Sequence, residues 1–379
     1  MRRRNYLNLY IVILITFGLI FSILTISVSS TTKKETLGIS AKAAVLYQPD
    51  TDRFLFKKNE KMRLPMASTT KIMTALVAIE NAELEEIVKI APEAIGTEGS
   101  SAYLKNGDIL TMEELLYALL LQSANDAAVA LAYYIGGDIS GFADLMNKKA
   151  EELGLLDTHF TNPHGLDDEE HFTTASDLAV ISAAALKNET FKTICSTYKK
   201  HFSTEKRVRN YVNHNKLLSK YWGCIGVKTG YTKKSGRCLV GAAEKDGLTF
   251  ITVTLDAPND WSDHETMLDL GFEVLERISL ASPNEYCYKI PVIGGTKEYI
   301  IAQNADEASY ITERNEKNIS YNVKLSKFVT APINKGDILG EVIFSCNGDE
   351  ITSVKIIANE TITKDNKKNF FQRLFGKYK

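Results

Sequence analysis

The chain has 379 residues, of which 44% are hydrophobic and 24% are charged, and its formal net charge is −2. That length leaves room for two domains, and the hydrophobic content is enough to fill a sizeable core. The near-neutral charge gives no general signal for polyanion binding, so we expect no nucleic-acid partner.

The N-terminus is predicted to direct export. Three arginines at residues 2–4 precede an uncharged, mostly apolar stretch at residues 7–28, which ends in small residues. This order is that of a secretory signal, although the apolar run exceeds the ~7–15 residues of a usual signal core and approaches the ~20 of a spanning helix. Residues 1–30 are therefore a signal peptide or an N-terminal membrane segment. In either case the positive-inside rule places the rest of the chain outside the cytoplasm.

The first chemical motif is Ser68-Thr69-Thr70-Lys71. Residues 71–79 are apolar on nearly every face of a predicted helix, which indicates that the helix is buried. Because positions i and i+3 are neighbours on a helix, Lys71 can reach the Ser68 hydroxyl, and burial lowers a lysine pKa towards the range where the amine accepts a proton. Taken alone the motif is common, and the alternative is a helix cap followed by a lysine that reaches solvent.

The second motif is Ser123-Ala124-Asn125, between apolar helices predicted over residues 112–122 and 126–132. A polar break between two buried helices places a hydroxyl and an amide inside the fold, where both need partners. The alternative is an ordinary corner between helices, with Asn125 or Asp126 as the helix cap.

The third motif is Lys228-Thr229-Gly230, in the first of three strands predicted over residues 226–232, 235–243 and 248–255. A cationic strand can hold a carboxylate. Glycine beside it lets another backbone approach closely, as an extended peptide does when it adds to a sheet edge.

Together the motifs supply a nucleophile with an adjacent base, a second hydroxyl beside an amide, and a cationic strand. They resemble the serine penicillin-recognising enzymes, and the flanking residues narrow the resemblance to low-molecular-mass penicillin-binding proteins that act as D-alanyl-D-alanine carboxypeptidases. Ala124 stands where relatives often have Gly or Asp, but only its neighbours carry the chemistry. The resemblance covers roughly residues 37–276, and the segments that carry it are 63–76, 121–128, 161–166 and 227–232.

The resemblance implies an α/β (α+β) fold: a β-lactamase/transpeptidase-like domain with a mixed sheet and a helical subdomain, at residues 37–276. The patterning agrees, because a hairpin is predicted over residues 41–56, helical periodicity dominates 68–186, and strands return before a helix predicted over 263–280. Strands at both ends of a domain that flank a helical middle are expected to join one sheet.

Residues 284–361 are predicted to form a small all-β domain, because short alternating runs replace the helical pattern. Asn347-Gly348 is typical of a hairpin turn. This domain holds no candidate catalytic cluster, so we expect a spacer or docking role. The predicted strands are residues 286–292, 298–302, 321–325 and 341–345.

The tail at residues 365–379 alternates basic residues with apolar and aromatic ones at helical spacing. That pattern suits a helix lying in the membrane interface, attracted to anionic lipid, and relatives often carry such an anchor. The alternative is a disordered basic tail. The apolar positions are Phe370, Phe371, Leu374, Phe375 and Tyr378.

The resemblance implies a role for each motif residue. Ser68 would attack the carbonyl of the penultimate D-alanine, Lys71 would take its proton, and Ser123 with Lys71 would protonate the leaving D-alanine before water hydrolyses the ester. The backbone N–H groups of Ser68 and Tyr231 would form the oxyanion hole. The catalytic residues are Ser68, Lys71 and Ser123, and the substrate-binding residues are Asn125, Lys228, Thr229, Gly230 and Tyr231.

The expected partners are a peptidoglycan stem peptide ending in D-Ala-D-Ala, β-lactam inhibitors and the membrane surface, and the expected location is the outer face of the cytoplasmic membrane or the cell wall. We expect no metal and no cofactor: the six histidines form no His-Glu-x-x-His motif, and His164 is predicted to be structural. The Glu-x-x-Leu-Asn segment of class A β-lactamases is absent, so a penicillin acyl-enzyme should hydrolyse slowly.

The alternative functions are, in order, a D,D-endopeptidase or transpeptidase on the same fold, a β-lactamase, and a catalytically silent cell-wall binding protein. The intact Ser68/Lys71 pair argues against the last of these.

The five cysteines are scattered and odd in number, so we expect mostly buried thiols and leave one disulfide open.

Overall fold

The computed structural model describes residues 37–204, 207–316 and 318–365. Within these ranges the helices lie mainly in the first two thirds of the chain, as the sequence pattern predicts. The α-helices are α1 Lys71–Asn81, α2 Met112–Leu121, α3 Asn125–Gly136, α4 Ile139–Glu152, α5 Ala175–Leu186, α6 Glu189–Ser196, α7 Leu217–Lys220 and α8 Asp260–Val274. The strands of the first domain are β1 Ala43–Gln48, β2 Arg53–Lys58, β3 Ile87–Lys89, β4 Ile109–Thr111, β5 Lys199–Thr204, β6 Arg207–Val212, β7 Cys224–Thr232, β8 Gly236–Lys245 and β9 Leu248–Leu255.

A five-stranded sheet organises the first domain, in the order β2-β1-β9-β8-β7 with each neighbouring pair antiparallel. The predicted N-terminal hairpin is therefore present as β1 and β2, and β1 pairs with β9 from the far end of the domain. Strands from both ends of the domain thus join one sheet, as expected. The strand that carries the Lys228-Thr229-Gly230 motif, β7, forms one edge.

Helix α1 runs through the middle of the helical layer, and its residues from 71 to 78 are buried. It is apolar all round because it packs against other helices and the sheet instead of facing solvent. Neighbouring helices begin at side-chain caps: Thr111 accepts a hydrogen bond from the Glu114 N–H at α2, and Thr174 accepts one from the Asp177 N–H at α5.

The helix predicted over residues 263–280 is wrong at its C-terminal end. Helix α8 ends at Val274, and Leu275–Ala281 forms strand β10, which pairs antiparallel with β13, Ala308–Glu313. The spacing of Leu275 and Ile278 mimics a helix period, but pairing with a distant strand overrides that local preference.

The second domain is all-β, as predicted, with its own apolar core. The strands are β10 Leu275–Ala281, β11 Cys287–Ile293, β12 Tyr299–Asn304, β13 Ala308–Glu313, β14 Ile319–Leu325, β15 Val329–Thr330, β16 Ile338–Cys346 and β17 Asp349–Ala358. The larger sheet has the order β14-β16-β17-β12-β11-β15, and Asn347-Gly348 is the tight turn between β16 and β17.

Ion pairs tie the start of the second domain to the sheet of the first. Arg277 of β10 lies 2.7 Å from Asp50 in the β1–β2 turn and donates to the Gly247 carbonyl at 2.8 Å. Arg53 lies 3.2 Å from Glu313. Asp50 and Arg53 belong to the β1–β2 hairpin, at the edge of the sheet opposite β7.

The predicted signal segment and nearly all of the tail lie outside the described residues. In the described ranges, no helix combines the length and apolar character needed to cross a membrane. All five cysteines are free thiols: Cys195, Cys238 and Cys346 are buried, Cys224 is half-buried and Cys287 is exposed.

Candidate active site

Ser68 lies in a tight 3₁₀ turn, Ala67–Thr70, directly before α1. Thr69 and Thr70 fix the turn, because their hydroxyls donate to the carbonyls of Met66 and Ala67 at 2.6 and 2.8 Å. The sequence placed Ser68 in the first turn of the helix. The structure places it one turn earlier, where the turn is anchored at both ends and the hydroxyl faces Lys71.

Lys71 opens α1, and its side chain is fully buried. Its Nζ atom lies 2.9 Å from Ser68 Oγ, 2.6 Å from Asn125 Oδ1 and 2.6 Å from the His164 carbonyl oxygen. Two of these partners are carbonyl oxygens, which only accept hydrogen bonds. A neutral amine that donates its two N–H groups to them directs its lone pair at the Ser68 hydroxyl, which is the geometry of a general base.

The surroundings favour that neutral amine. Burial lowers the pKa of Lys71 well below its usual value, the nearby Lys228 lowers it further, and Asp126 opposes the shift. The shift is in the direction that a general base for Ser68 requires. The sequence predicted this direction from the apolar helix alone.

Asn125 and Ser123 occupy the turn between α2 and α3. Asn125 is buried; its Oδ1 accepts from Lys71 and its Nδ2 donates to the Glu98 carbonyl. Ser123 is also buried, with φ of +59°. Within the described residues, the hydrogen-bond partners of Lys71 are Ser68, Asn125 and His164, and Ser123 is not among them. The alternative in which Asn125 or Asp126 caps the second helix is wrong, because Ala124 occupies the N-cap position of α3.

The segment 162–166 supplies a contact that sequence reasoning missed. The His164 carbonyl accepts from Lys71, and the Asn162 side chain holds the segment by accepting from the Gly165 N–H at 2.7 Å. Gly165 has φ of +84°, and a Cβ there would lie 1.9 Å from the Ala67 carbonyl oxygen, so only glycine fits against the Ser68 turn. The segment is one of those that carry the family resemblance, but nothing in its residue types indicates a backbone contact to Lys71.

Strand β7 passes beside the Ser68 turn. A Cβ at Gly230 would lie 3.0 Å from Ser68 N and 3.1 Å from Thr69 N, so the glycine lets the strand approach the turn closely. Lys228 is buried, and burial lowers its pKa to about 7. Its Nζ donates to the Thr229 carbonyl at 2.9 Å. Next along the strand, Thr229 and Gly230 are half-buried and Tyr231 is exposed.

Asp126 is a second residue whose contribution sequence reasoning missed. It is buried, and its carboxylate accepts from the Ser101 hydroxyl at 2.6 Å and from the backbone N–H groups of Ala102 and Leu104 at 2.9 and 3.0 Å. The carboxylate thereby fixes the loop at residues 98–105 against the start of α3. An Asp that directly follows Asn125 is a weak signal, since it fits an ordinary first helical turn equally well.

The histidines have structural partners. His264 bonds Thr252 and Thr254 in the core, and burial lowers its pKa to about 3. His171 bonds the Thr70 hydroxyl at 2.8 Å, and burial lowers its pKa to about 4. Burial and then Lys71 lower the pKa of His164 to about 3. In the part of the chain that the structure describes, no three His, Cys, Asp or Glu side chains are grouped as metal ligands.

The chain matches two protein-family models. Residues 29–259 match the family described as D-alanyl-D-alanine carboxypeptidase, and residues 275–364 match the C-terminal domain of penicillin-binding protein 5.

Curated relatives match over nearly the whole chain. The D-alanyl-D-alanine carboxypeptidase DacF of Bacillus subtilis is 34% identical over 352 residues, which cover 90% of each chain. The D-alanyl-D-alanine carboxypeptidase DacC of Escherichia coli is 30% identical over 358 residues, which cover 90% of this chain and 88% of the relative.

Solved structures are similar as well. Penicillin-binding protein 5 of Haemophilus influenzae aligns with a TM-score of 0.63 at 27% identity, over 86% of this chain and 98% of that one. The DD-transpeptidase of Streptomyces K15 aligns with a TM-score of 0.59 at 35% identity, over 62% of this chain and 97% of that one.

Proposed function

We propose, because the chain belongs to the family of D-alanyl-D-alanine carboxypeptidases, that it is a serine-type carboxypeptidase that removes the terminal D-alanine from peptidoglycan stem peptides. The observation that carries the proposal is the contact between Lys71 Nζ and Ser68 Oγ at 2.9 Å, with two carbonyl oxygens holding the amine. An acyl-enzyme on Ser68 follows from that arrangement.

In acylation, Lys71 takes the Ser68 proton while Ser68 Oγ attacks the carbonyl carbon of the penultimate D-alanine. The developing oxyanion accepts from the backbone N–H groups of Ser68 and Tyr231. The close approach of Gly230 to Ser68 N supports this pairing, since it brings the β7 backbone beside the Ser68 N–H.

Ser123 passes the proton from Lys71 to the nitrogen of the leaving D-alanine. Ser123 makes no hydrogen bond to Lys71 in the described residues of the free protein, and the bound substrate completes this relay. Apo structures commonly show such contacts unformed. Water then attacks the ester on Ser68, with Lys71 again taking a proton, and releases the shortened peptide.

Five residues bind substrate around that centre. Lys228 and Thr229 hold the terminal carboxylate, and Gly230 and the exposed Tyr231 line the strand along which the peptide lies. Asn125 has a further role, because its Oδ1 is engaged by Lys71 and one N–H of its Nδ2 remains for a substrate carbonyl. Asn125 therefore orients the base and the substrate together.

β-Lactams enter the same site and acylate Ser68, as the penicillin-binding relatives support. Deacylation of that adduct is slow, because the sequence lacks the Glu-x-x-Leu-Asn segment that supplies a deacylating carboxylate in class A β-lactamases.

The enzyme acts outside the cytoplasm, where its peptidoglycan substrate lies. We place it at the outer face of the cytoplasmic membrane, with residues 37–276 as the catalytic domain, 284–361 as a spacer and the tail at 365–379 as a peripheral anchor. Its macromolecular partners are then peptidoglycan and the membrane surface, with no nucleic acid.

Two deletions test the anchor. If the signal is cleaved, removal of residues 367–379 should release active enzyme into the soluble fraction. If the N-terminal run is retained, only a second deletion through Ser30 should release it. A signal-cleaved, tail-deleted protein that stays in the membrane fraction would contradict the anchor.

The function itself is tested by release of D-alanine from a diacetyl-lysyl-D-alanyl-D-alanine substrate. Benzylpenicillin should inhibit the release and EDTA should leave it unchanged, because the reaction uses Ser68 and Lys71. Loss of activity on chelation that zinc restores would contradict the serine mechanism.

A further inference from the structure

The larger sheet of the second domain exposes apolar side chains at one edge, on β11 and β12 and beside β15. Tyr299 of β12 pairs with Pro291 of β11, and Ile293 of β11 pairs with Thr330 of β15. Paired residues, and residues two apart along an extended chain, project from the same side of a sheet. Pro291, Ile293, Tyr299 and Phe328 therefore share one side, which we call the apolar sheet face.

The opposite side of these strands is the domain core. Ile290 and Ile300, at the alternate positions, pair with each other and are buried, and Val329 packs against the same core. On the apolar sheet face the exposed fractions are 52% for Ile293, 45% for Tyr299 and 57% for Phe328. A sheet with one solvated side normally alternates apolar with polar residues, so apolar residues on both sides indicate a contact outside the domain.

Lysines border the apolar sheet face. Lys289 of β11 projects from the same side, and its Nζ lies 3.6 Å from the centroid of the Tyr299 ring. Lys327 is exposed and directly precedes Phe328. Aromatic and apolar groups that enter the bilayer boundary, next to lysines that remain among the headgroups, are typical of a surface that lies on a membrane.

The chain leaves the second domain beside this face. The N–H of Asp365, the last described residue, donates to the Gly294 carbonyl at 2.9 Å, and Gly294 directly follows Ile293. Residues 366–379, which lie outside the described residues, contain five basic residues and no acidic one. The segment proposed as the membrane anchor therefore starts at the edge of the apolar sheet face.

Charge and area decide between the possible occupants of the face. The tail has the same sign of charge as Lys289 and Lys327, so its basic residues are repelled from the face, whereas anionic lipid attracts both. A second copy of the chain needs roughly 800 Å² on each partner for a stable complex, and four half-exposed side chains offer on the order of 400 Å².

We propose that the apolar sheet face docks on an anionic lipid surface and acts with the tail as a second membrane contact. The proposal rests on the proposed function, which places the enzyme at the membrane. Stable attachment generally takes two signals, and the tail makes the second contact intramolecular, so that a weak contact adds to the first. The face is too small to hold the protein without the tail, so a tail-deleted enzyme is still expected in the soluble fraction.

Binding to lipid vesicles tests the face. The protein without residues 1–30, which keeps every described residue, is sedimented with vesicles of mixed phosphatidylglycerol and phosphatidylcholine, and the partition coefficient is measured. Phe328→Ser and Ile293→Ser remove apolar groups from the face. Leu156→Ser is the matched control, because Leu156 is an exposed apolar residue of the first domain.

Phe328→Ser should lower the partition coefficient roughly tenfold and Ile293→Ser about threefold, since each removes apolar area that the membrane takes from water. Leu156→Ser should bind like the unsubstituted protein. Added salt, or vesicles of phosphatidylcholine alone, should weaken binding because the lysines then lose their attraction to anionic headgroups. All variants should release D-alanine from a soluble substrate at the unsubstituted rate, which also shows that they are folded.

A second measurement reports the contact itself. Phe328→Trp adds a fluorophore on the face, and lipids brominated in their acyl chains should quench it beyond the quenching of the unsubstituted protein. Leu156→Trp should show no added quenching on the same vesicles. Added quenching in both variants, or in neither, would contradict docking through this face.

The other outcomes separate this proposal from the proposed function. Equal vesicle binding by the unsubstituted protein and both face variants would overturn the docking and leave the tail anchor in place. Tighter binding by the face variants would show that the tail covers the face. A dimer that Phe328→Ser dissociates would assign the face to a second copy of the chain. An unsubstituted protein that releases D-alanine without binding vesicles would overturn the anchor and the docking together, but not the carboxypeptidase function.

Discussion

Lys71 Nζ lies 2.9 Å from Ser68 Oγ, and the two carbonyl oxygens that hold the amine leave its lone pair directed at the hydroxyl. This relationship requires a neutral lysine, and burial of the side chain lowers the pKa of Lys71 in that direction. The proposed nucleophile and base are thus set in place before substrate arrives.

Replacement of Lys71 should lower the rate of acylation on the order of a thousandfold or more, since removal of a general base commonly lowers a rate by a factor of ~10²–10⁴. Lys71→Arg removes the base while keeping a long side chain with N–H donors, because arginine stays protonated and cannot accept the proton. The rate of acylation by a chromogenic β-lactam measures the effect, with thermal unfolding as the control for folding. A loss below about tenfold would place the base elsewhere, with Ser123 next to be tested.

The pH dependence of kcat/KM should be bell-shaped, because two buried lysines are needed in opposite states. On the acid side activity falls as Lys71 gains a proton and can no longer act as a base. On the alkaline side it falls as Lys228, whose pKa is about 7 in the free protein, loses the charge that binds the carboxylate.

Lys228→Arg should move the alkaline limb to higher pH, because arginine keeps its charge there, and should leave the acid limb nearly in place. An alkaline limb that stays at the same pH in Lys228→Arg would show that Lys228 does not set it.

Lys228→Ala and Thr229→Ala should weaken acylation by substrates with a free terminal carboxylate far more than by the corresponding amides. A charge-assisted hydrogen bond contributes ~1.5–3 kcal/mol net, so roughly ten- to hundredfold discrimination is expected. Acylation rates on the paired substrates give the ratio. Equal losses of acylation rate on the carboxylate and amide substrates would indicate that Lys228 and Thr229 have a structural role instead.

Much of this architecture could be predicted from the sequence, because the signals are local. The apolar character of residues 71–79 predicted a buried helix with a depressed lysine pKa, and Asn347-Gly348 predicted the tight turn. The His164 carbonyl contact could not be predicted, because any residue type offers a carbonyl. The strand that begins at Leu275 was missed because pairing with β13 is non-local.

Asp126→Ala should lower the free energy of unfolding, because it leaves the buried donors of the loop at residues 98–105 without an acceptor. Each buried hydrogen bond to a charged group contributes ~1.5–3 kcal/mol, so the loss should be a few kcal/mol and visible in urea unfolding. Since Asp126 raises the pKa of Lys71, the variant should also move the acid limb of kcat/KM to lower pH. An unchanged unfolding free energy would contradict this anchoring role.

The most direct test of the central claim is covalent labelling of Ser68→Ala by fluorescent penicillin, alongside D-alanine release. The account predicts that wild type forms one stable adduct on the peptide that contains Ser68. The variant, whose folded state is verified by a thermal unfolding curve, should show neither labelling nor D-alanine release. A folded Ser68→Ala protein that still acquires the penicillin label would contradict the account.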